Sequence, residues 1–208
     1  MTIDKAKYYH IHTYQDKPSF VLGQKLKWDS NTPNKFWEFY LSSSIRYPHE
    51  PYQGKYAAQL ANIHLKNGQI TNFELTKNVF NFLANATYEM GMLNREVIFE
   101  EYRKEHFSKL PSRRNCIWLC NGIENLKFWY NWYRNNPCQK IIYELSCTGE
   151  IHVGNQAYLN SDSMNYAEYL ENAEKYWNGH DTNGKDNNET IFEGEVEVLT
   201  QIEPSLIT

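Results

Sequence analysis

The chain has 208 residues, 41% of them hydrophobic, and 21 Lys+Arg against 25 Asp+Glu give a net charge of −4. That length supports one domain with a sizeable core. The mild acidity excludes a strongly basic nucleic-acid surface as the bulk character and leaves room only for a local basic patch. No run of about 18 apolar residues exists, so no membrane span is expected. Residues 1–9 lack the apolar centre of a signal peptide, and a cytoplasmic location is the expectation.

In chain order, residues 6–13 alternate Tyr8, His10 and His12 with Tyr9 and Ile11, which predicts a β-strand. Phe20-Val21-Leu22-Gly23 reads as a turn opening a short strand. Residues 33–41 predict a helix, with Pro33 in the first turn and Phe36, Trp37 and Tyr40 on one face. Three serines, Pro48, Pro51 and Gly54 mark 42–54 as a loop. Residues 55–65 and 73–106 carry helical spacing, with Leu75, Val79, Phe82 and Leu83 in one stripe and Leu93, Val97 and Ile98 in another. Gly91 is expected to divide the second stretch.

Pro111 closes this helical region. Cys116 to Cys120 predicts a buried strand, Asn121-Gly122 a turn, and 123–133 an aromatic helix. Ile141 to Cys147 predicts a strand, and Thr148-Gly149 predicts the turn of a hairpin into 150–153. Residues 164–177 predict a helix closed by Asn178-Gly179, and 189–202 the last strand or hairpin. The alternation is that of an α+β domain covering residues 1–208, with a helical insertion at about 55–110.

Four cysteines (Cys116, Cys120, Cys138 and Cys147) form no Cys-x-x-Cys pair, and His152 and His180 lack ligand spacing, so no metal site is expected. Gly-x-x-x-x-Gly-Lys, Gly-x-Gly-x-x-Gly and Gly-x-Ser-x-Gly are all absent, which excludes P-loop, dinucleotide-fold and serine-hydrolase readings.

Three short segments remain. Tyr9-His10-Ile11 puts an imidazole on a strand, with His12 on the same face as its alternative. Ile117-Trp118-Leu119 puts an indole in an apolar strand just after Ser112-Arg113-Arg114-Asn115, whose guanidiniums suit phosphate. Asn188-Glu189-Thr190-Ile191-Phe192 puts a carboxylate at the entry of a β-rich run in which Glu193, Glu195 and Glu197 alternate toward solvent. On residue chemistry alone each has a plainer reading. His10 is then a polar residue of a half-buried strand, Trp118 core, Arg113 and Arg114 surface charges, and Glu189 a charge guarding a strand end. The Tyr166, Tyr169, Tyr176 and Trp177 stripe reads as helix core.

In order and strand context these motifs resemble the His-Tyr-Glu side of the ADP-ribosyltransferase superfamily, which includes poly(ADP-ribose) polymerases, RNA 2′-phosphotransferases and DNA-modifying toxins. The resemblance spans nearly the whole chain and is nearest to a bacterial and phage branch. It implies a split β-sheet core with NAD as substrate and no metal. Transfer of one ADP-ribose would go to a macromolecular acceptor (RNA, DNA or protein), in a toxin or anti-phage defence role with an antitoxin or inhibitor as partner. By motif position it implies Glu189, His10 and Trp118 as catalytic, with His10, Arg113, Trp118 and Ser112 holding NAD. Trp118 stands where the family usually has Tyr. The alternative is an inactive nucleotide-binding or interaction module of the same fold.

Overall fold

The computed structural model describes residues 1–14, 20–29, 31, 34, 37–38, 46–50, 53–67, 73–135, 138–160 and 165–207. The chain divides into two compact units. One holds Met1–Asn34, Ile98–Asn160 and Asn165–Thr208; the other holds Lys35–Val97 and Ser161–Met164.

The first unit is α+β around a five-stranded antiparallel sheet. Its strands are β1 (Thr2–Tyr14), β2 (Lys25–Trp28), β3 (Ile117–Leu119), β4 (Gln139–Asn155) and β5 (Asn188–Ile202). The order is β1-β4-β5-β2, and β3 also pairs with β5. β2 and β3 thus divide one edge of β5, at 194–197 and 190–192 respectively. β3 returns to β1 through Tyr9 and Cys120, whose backbone groups exchange bonds of 3.0 and 2.7 Å. Hydrogen bonds therefore run from β1 to β4, to β5, to β3 and back to β1.

Alternation sorts the side chains of this ring. Tyr8, Ile117, Leu119, Tyr143, Leu145, Phe192, Val196 and Val198 form one buried cluster. On the opposite face, α3 (Ile123–Trp132) and α4 (Tyr166–Trp177) supply covers. Leu126 of α3 packs with Cys120 and Ile142, while Ala173, Tyr176 and Trp177 of α4 pack with Phe99, Cys116 and Ile191. Burying a large apolar side chain stabilises by about 1.5–3 kcal/mol, so these strips dominate the energetics. α4 starts at a capping box, where Asn165 Oδ1 accepts from the Glu168 amide (3.1 Å) and Glu168 Oε2 accepts from the Asn165 amide (2.8 Å). It ends at Asn178, with Gly179 at φ +66°, as the sequence predicts.

The second unit contains α1 (Ala57–Asn67) and the start of α2 (Phe73–His106), whose last residues from Ile98 belong to the first unit. Its core holds Tyr47, Leu60 and Val79 with Phe82 and Leu83 packed against them. Arg95 and Glu96 form a buried ion pair there (2.7 Å), and farther along α2 Arg103 and Glu100 form another (2.8 Å).

Several expectations are corrected. α2 runs unbroken through Gly91, whose helical penalty of about 1 kcal/mol is small against the packing of a 34-residue helix. β4 is one continuous 17-residue strand, so Thr148-Gly149 is no hairpin turn. Gly149 instead lies opposite Gly194, and a Cβ on it would sit 2.3 Å from the Glu193 carbonyl oxygen. The glycine marks close backbone approach, not reversal. Leu22-Gly23 is the turn, and the strand follows at Lys25. β1 begins earlier than predicted, at Thr2. Of the predicted 33–41 helix only Trp37 and Glu38 are described as helical; its other residues apart from Asn34, and 42–45 and 51–52 of the loop, lie outside the described residues. No described helix is long and apolar enough to cross a membrane.

Candidate functional site

Glu189 opens β5 and pairs with Gly154 of β4. Its backbone is fixed by what precedes it. The Asn188 carbonyl accepts from Trp129 Nε1 and from Asn125 Nδ2, both at 2.9 Å, and Asn188 Nδ2 donates to the Thr182 carbonyl at 2.5 Å. α3 thereby holds the strand entry still, through two side chains that no motif in the sequence marks.

The Glu189 side chain is only 11% exposed and forms an ion pair with Arg113 Nη1. Tyr176 of α4 donates its hydroxyl to the same carboxylate oxygen, Oε1, at 2.7 Å, and Arg113 Nη1 donates to the Tyr176 hydroxyl at 2.9 Å. Burial, and next the Glu189 charge, push the Tyr176 phenol well above its usual range, which keeps it a donor. Both hydrogen bonds to the Glu189 carboxylate, from Arg113 and Tyr176, fall on Oε1; Oε2 accepts none among the described residues.

Arg113 is 3% exposed. The loop aims it inward: the Ser112 hydroxyl and carbonyl accept from the Arg114 and Asn115 amides (both 3.1 Å), and Asn34 Nδ2 grips the Arg113 carbonyl at 2.6 Å. The Ser112 amide donates to Glu193 Oε1 at 2.6 Å. Glu193 is therefore half-buried rather than solvated beside Glu195, and burial raises its carboxyl.

His10 stacks on Phe20 (centroids 5.3 Å apart), and its Nδ1 lies 2.9 Å from the Trp118 carbonyl oxygen. Burial lowers it to about 4, so at neutral pH the ring is uncharged. A carbonyl needs a donor, so the proton sits on Nδ1 and Nε2 presents a lone pair. His12 stacks on the same Phe20 at 4.6 Å. The Trp118 ring is on the other face, against the cluster that contains Tyr176, Trp177 and Ile191. Tyr133, just past α3, is 38% exposed. Burial of its hydroxyl, followed by the Glu189 charge, pushes it up to about 12.

The structure thus brings Arg113 directly to Glu189 and seats His10 on the Trp118 backbone. It does not bring the His10 ring, the Trp118 ring and the Glu189 carboxylate onto one face. His10 stands on the Tyr143 side of the strand ring and Glu189 on the α4 side. Tyr176 and Gly154 join the site without having been expected there. The aromatic stripe signalled core packing, and nothing in it distinguished a phenol aimed at a carboxylate. Among the described residues no three His, Cys, Asp or Glu converge to hold a metal ion.

Alternating buried strands, covering helices and one anchored carboxylate define an α+β protein with a polar centre at a strand entry. Residues 8–204 match the model of the DUF2441 family, described as a protein of unknown function, and the chain belongs to that family. No curated protein matches it.

Proposed function

We propose that the chain is an NAD-dependent mono-ADP-ribosyltransferase acting on a macromolecular acceptor. One observation carries this reading: Glu189 is an oriented carboxylate with one oxygen anchored by Arg113 and Tyr176 and the other left for a ligand. In such a site Oε2 accepts a hydrogen bond from the 2′-hydroxyl of the nicotinamide ribose and stays ionised. The fixed negative charge then stabilises the anomeric carbon as the C–N glycosidic bond breaks and nicotinamide departs with the electron pair. An acceptor oxygen or nitrogen attacks that carbon, forming the new glycosidic bond, and its proton passes to solvent. His10 Nε2, as an acceptor, takes a hydrogen bond from a ribose hydroxyl. The division of one β5 edge between β2 and β3 supports a split-sheet core of the kind the resemblance implies. A toxin or defence role, with a cognate inhibitor, rests on the resemblance alone.

A second reading has a specific observation behind it. Arg113 is buried on Glu189, so the phosphate contact expected of it is spent inside the protein, as in a module that binds but does not react. Incubating the protein with NAD and separate pools of protein, RNA and DNA distinguishes the two. Transfer predicts nicotinamide release and a labelled pool. Binding alone predicts a raised Tm without release, and if neither release nor a raised Tm is seen the NAD reading is overturned.

A further inference from the structure

We infer that Tyr176 is a positioning residue for Glu189, seated by a slot that Gly154 keeps open. This rests on the proposed reaction for its consequence in turnover, but not for its geometry. Gly154 lies directly across the β4–β5 ladder from Glu189. A Cβ on Gly154 would meet Tyr176 Cε2 at 2.2 Å, Cδ2 at 2.5 Å and Cζ at 2.6 Å, so the phenol ring occupies the space a side chain would need. Tyr176 is fully buried and packs edge-on to Trp177 at 4.9 Å and against Phe99 at 5.5 Å, so the ring moves only by disturbing these neighbours. His152, two residues before Gly154, holds the Tyr176 carbonyl with Nε2 at 3.1 Å. Ring and backbone of Tyr176 are therefore both indexed to β4, and β4 is in register with Glu189. The hydroxyl is delivered to Oε1 from a fixed height above the sheet, which selects Oε1 as the bound oxygen and turns Oε2 outward. Arg113 alone could neutralise the carboxylate, but a guanidinium fork can meet either oxygen or both and would not choose between them.

Two variants attack this device from different ends. Tyr176→Phe removes the hydroxyl and leaves the ring; Gly154→Ala leaves the hydroxyl and displaces the ring. In each, nicotinamide release should fall about tenfold or more in kcat, the scale of a lost oriented donor, while KM for NAD stays within about twofold. A purely structural tyrosine would lower Tm and leave kcat of the folded fraction alone. Independently of NAD, a urea-unfolding cycle of Tyr176→Phe, Glu189→Ala and the pair should be non-additive, the second substitution shifting the midpoint less than it does alone. Additive midpoints, or wild-type kcat in a folded Tyr176→Phe protein, overturn the inference. A wild-type protein that releases no nicotinamide while the cycle remains non-additive refutes the proposed reaction and keeps the positioning role.

Discussion

Glu189 is both the candidate catalytic group and half of a buried ion pair, and these two roles make opposite demands on a substitution. Glu189→Gln removes the charge and leaves the Arg113 guanidinium, 3% exposed, without its counter-ion. Breaking a buried pair from one side costs about 3–5 kcal/mol, reduced here because the amide oxygen still accepts from Tyr176. We predict loss of turnover together with a lower unfolding midpoint, so activity loss in this variant is ambiguous alone. Glu189→Asp is the cleaner probe. It keeps the charge facing Arg113 but withdraws the free oxygen by one methylene, and should retain a near-wild-type Tm while losing most nicotinamide release. A folded Glu189→Asp protein with full turnover would falsify the catalytic assignment. Arg113→Ala is expected to destabilise the fold rather than selectively weaken NAD affinity, which calorimetric titration beside thermal unfolding measures. The strand-entry position of Glu189 was legible in Asn188-Glu189-Thr190 because a polar loop gives way there to alternating apolar residues. Its partners were not, since Tyr176 and Arg113 are 13 and 76 residues away and no local periodicity encodes such pairings.

At the scale of elements, the strands and helices were legible wherever period and punctuation agreed. Trp118 between Ile117 and Leu119 marked β3, and Asn178-Gly179 marked the end of α4. They were not legible where one signal has two physical causes. Gly149 looks like a turn residue because positive φ serves turns, yet its φ of +156° serves the Gly149–Gly194 contact in mid-ladder. A substitution separates the two uses. Gly149→Ala meets the Glu193 carbonyl at 2.3 Å and Gly194 Cα at 2.7 Å, both backbone. Overpacking and strained backbone together should cost about 2–4 kcal/mol. Gly23 is a true turn glycine at φ +78°, and a methyl group there would meet nothing within 4 Å. Gly23→Ala should therefore lose only the backbone term, about 1–2 kcal/mol. Urea midpoints of the two variants measure the difference, and equal losses would remove the steric account of the glycine pair.

For the whole molecule, acid sensitivity follows from two histidines that the fold keeps neutral. Burial is the leading cause in both, lowering His10 and His152 to about 4. Backbone carbonyls oppose the shift, while His12 acts on His10 and Arg113 on His152 in the same direction as burial. An unfolded histidine titrates near 6.5. Between about 4 and 6.5 the unfolded chain then holds more protons than the folded one, so stability rises with pH across that window. The contribution is complete above 6.5 and is lost on acidification toward 4. At 1.36 kcal/mol per unit, each site accounts for at most about 3 kcal/mol, a large share of the roughly 5–15 kcal/mol of an ordinary domain. Glu193 works the other way: burial raises its carboxyl, so its ionisation favours unfolding as pH rises. Comparison with a variant cancels that background. His152→Phe retains a ring beside Trp177, 4.9 Å away in the native protein, and cannot take a proton. It should be less stable than wild type at pH 7.5, having lost the bond to the Tyr176 carbonyl, but its urea midpoint should fall less steeply from pH 6.5 to 4.5. Parallel midpoint-against-pH curves for the two proteins would show that His152 is not the group that the fold keeps from protonating.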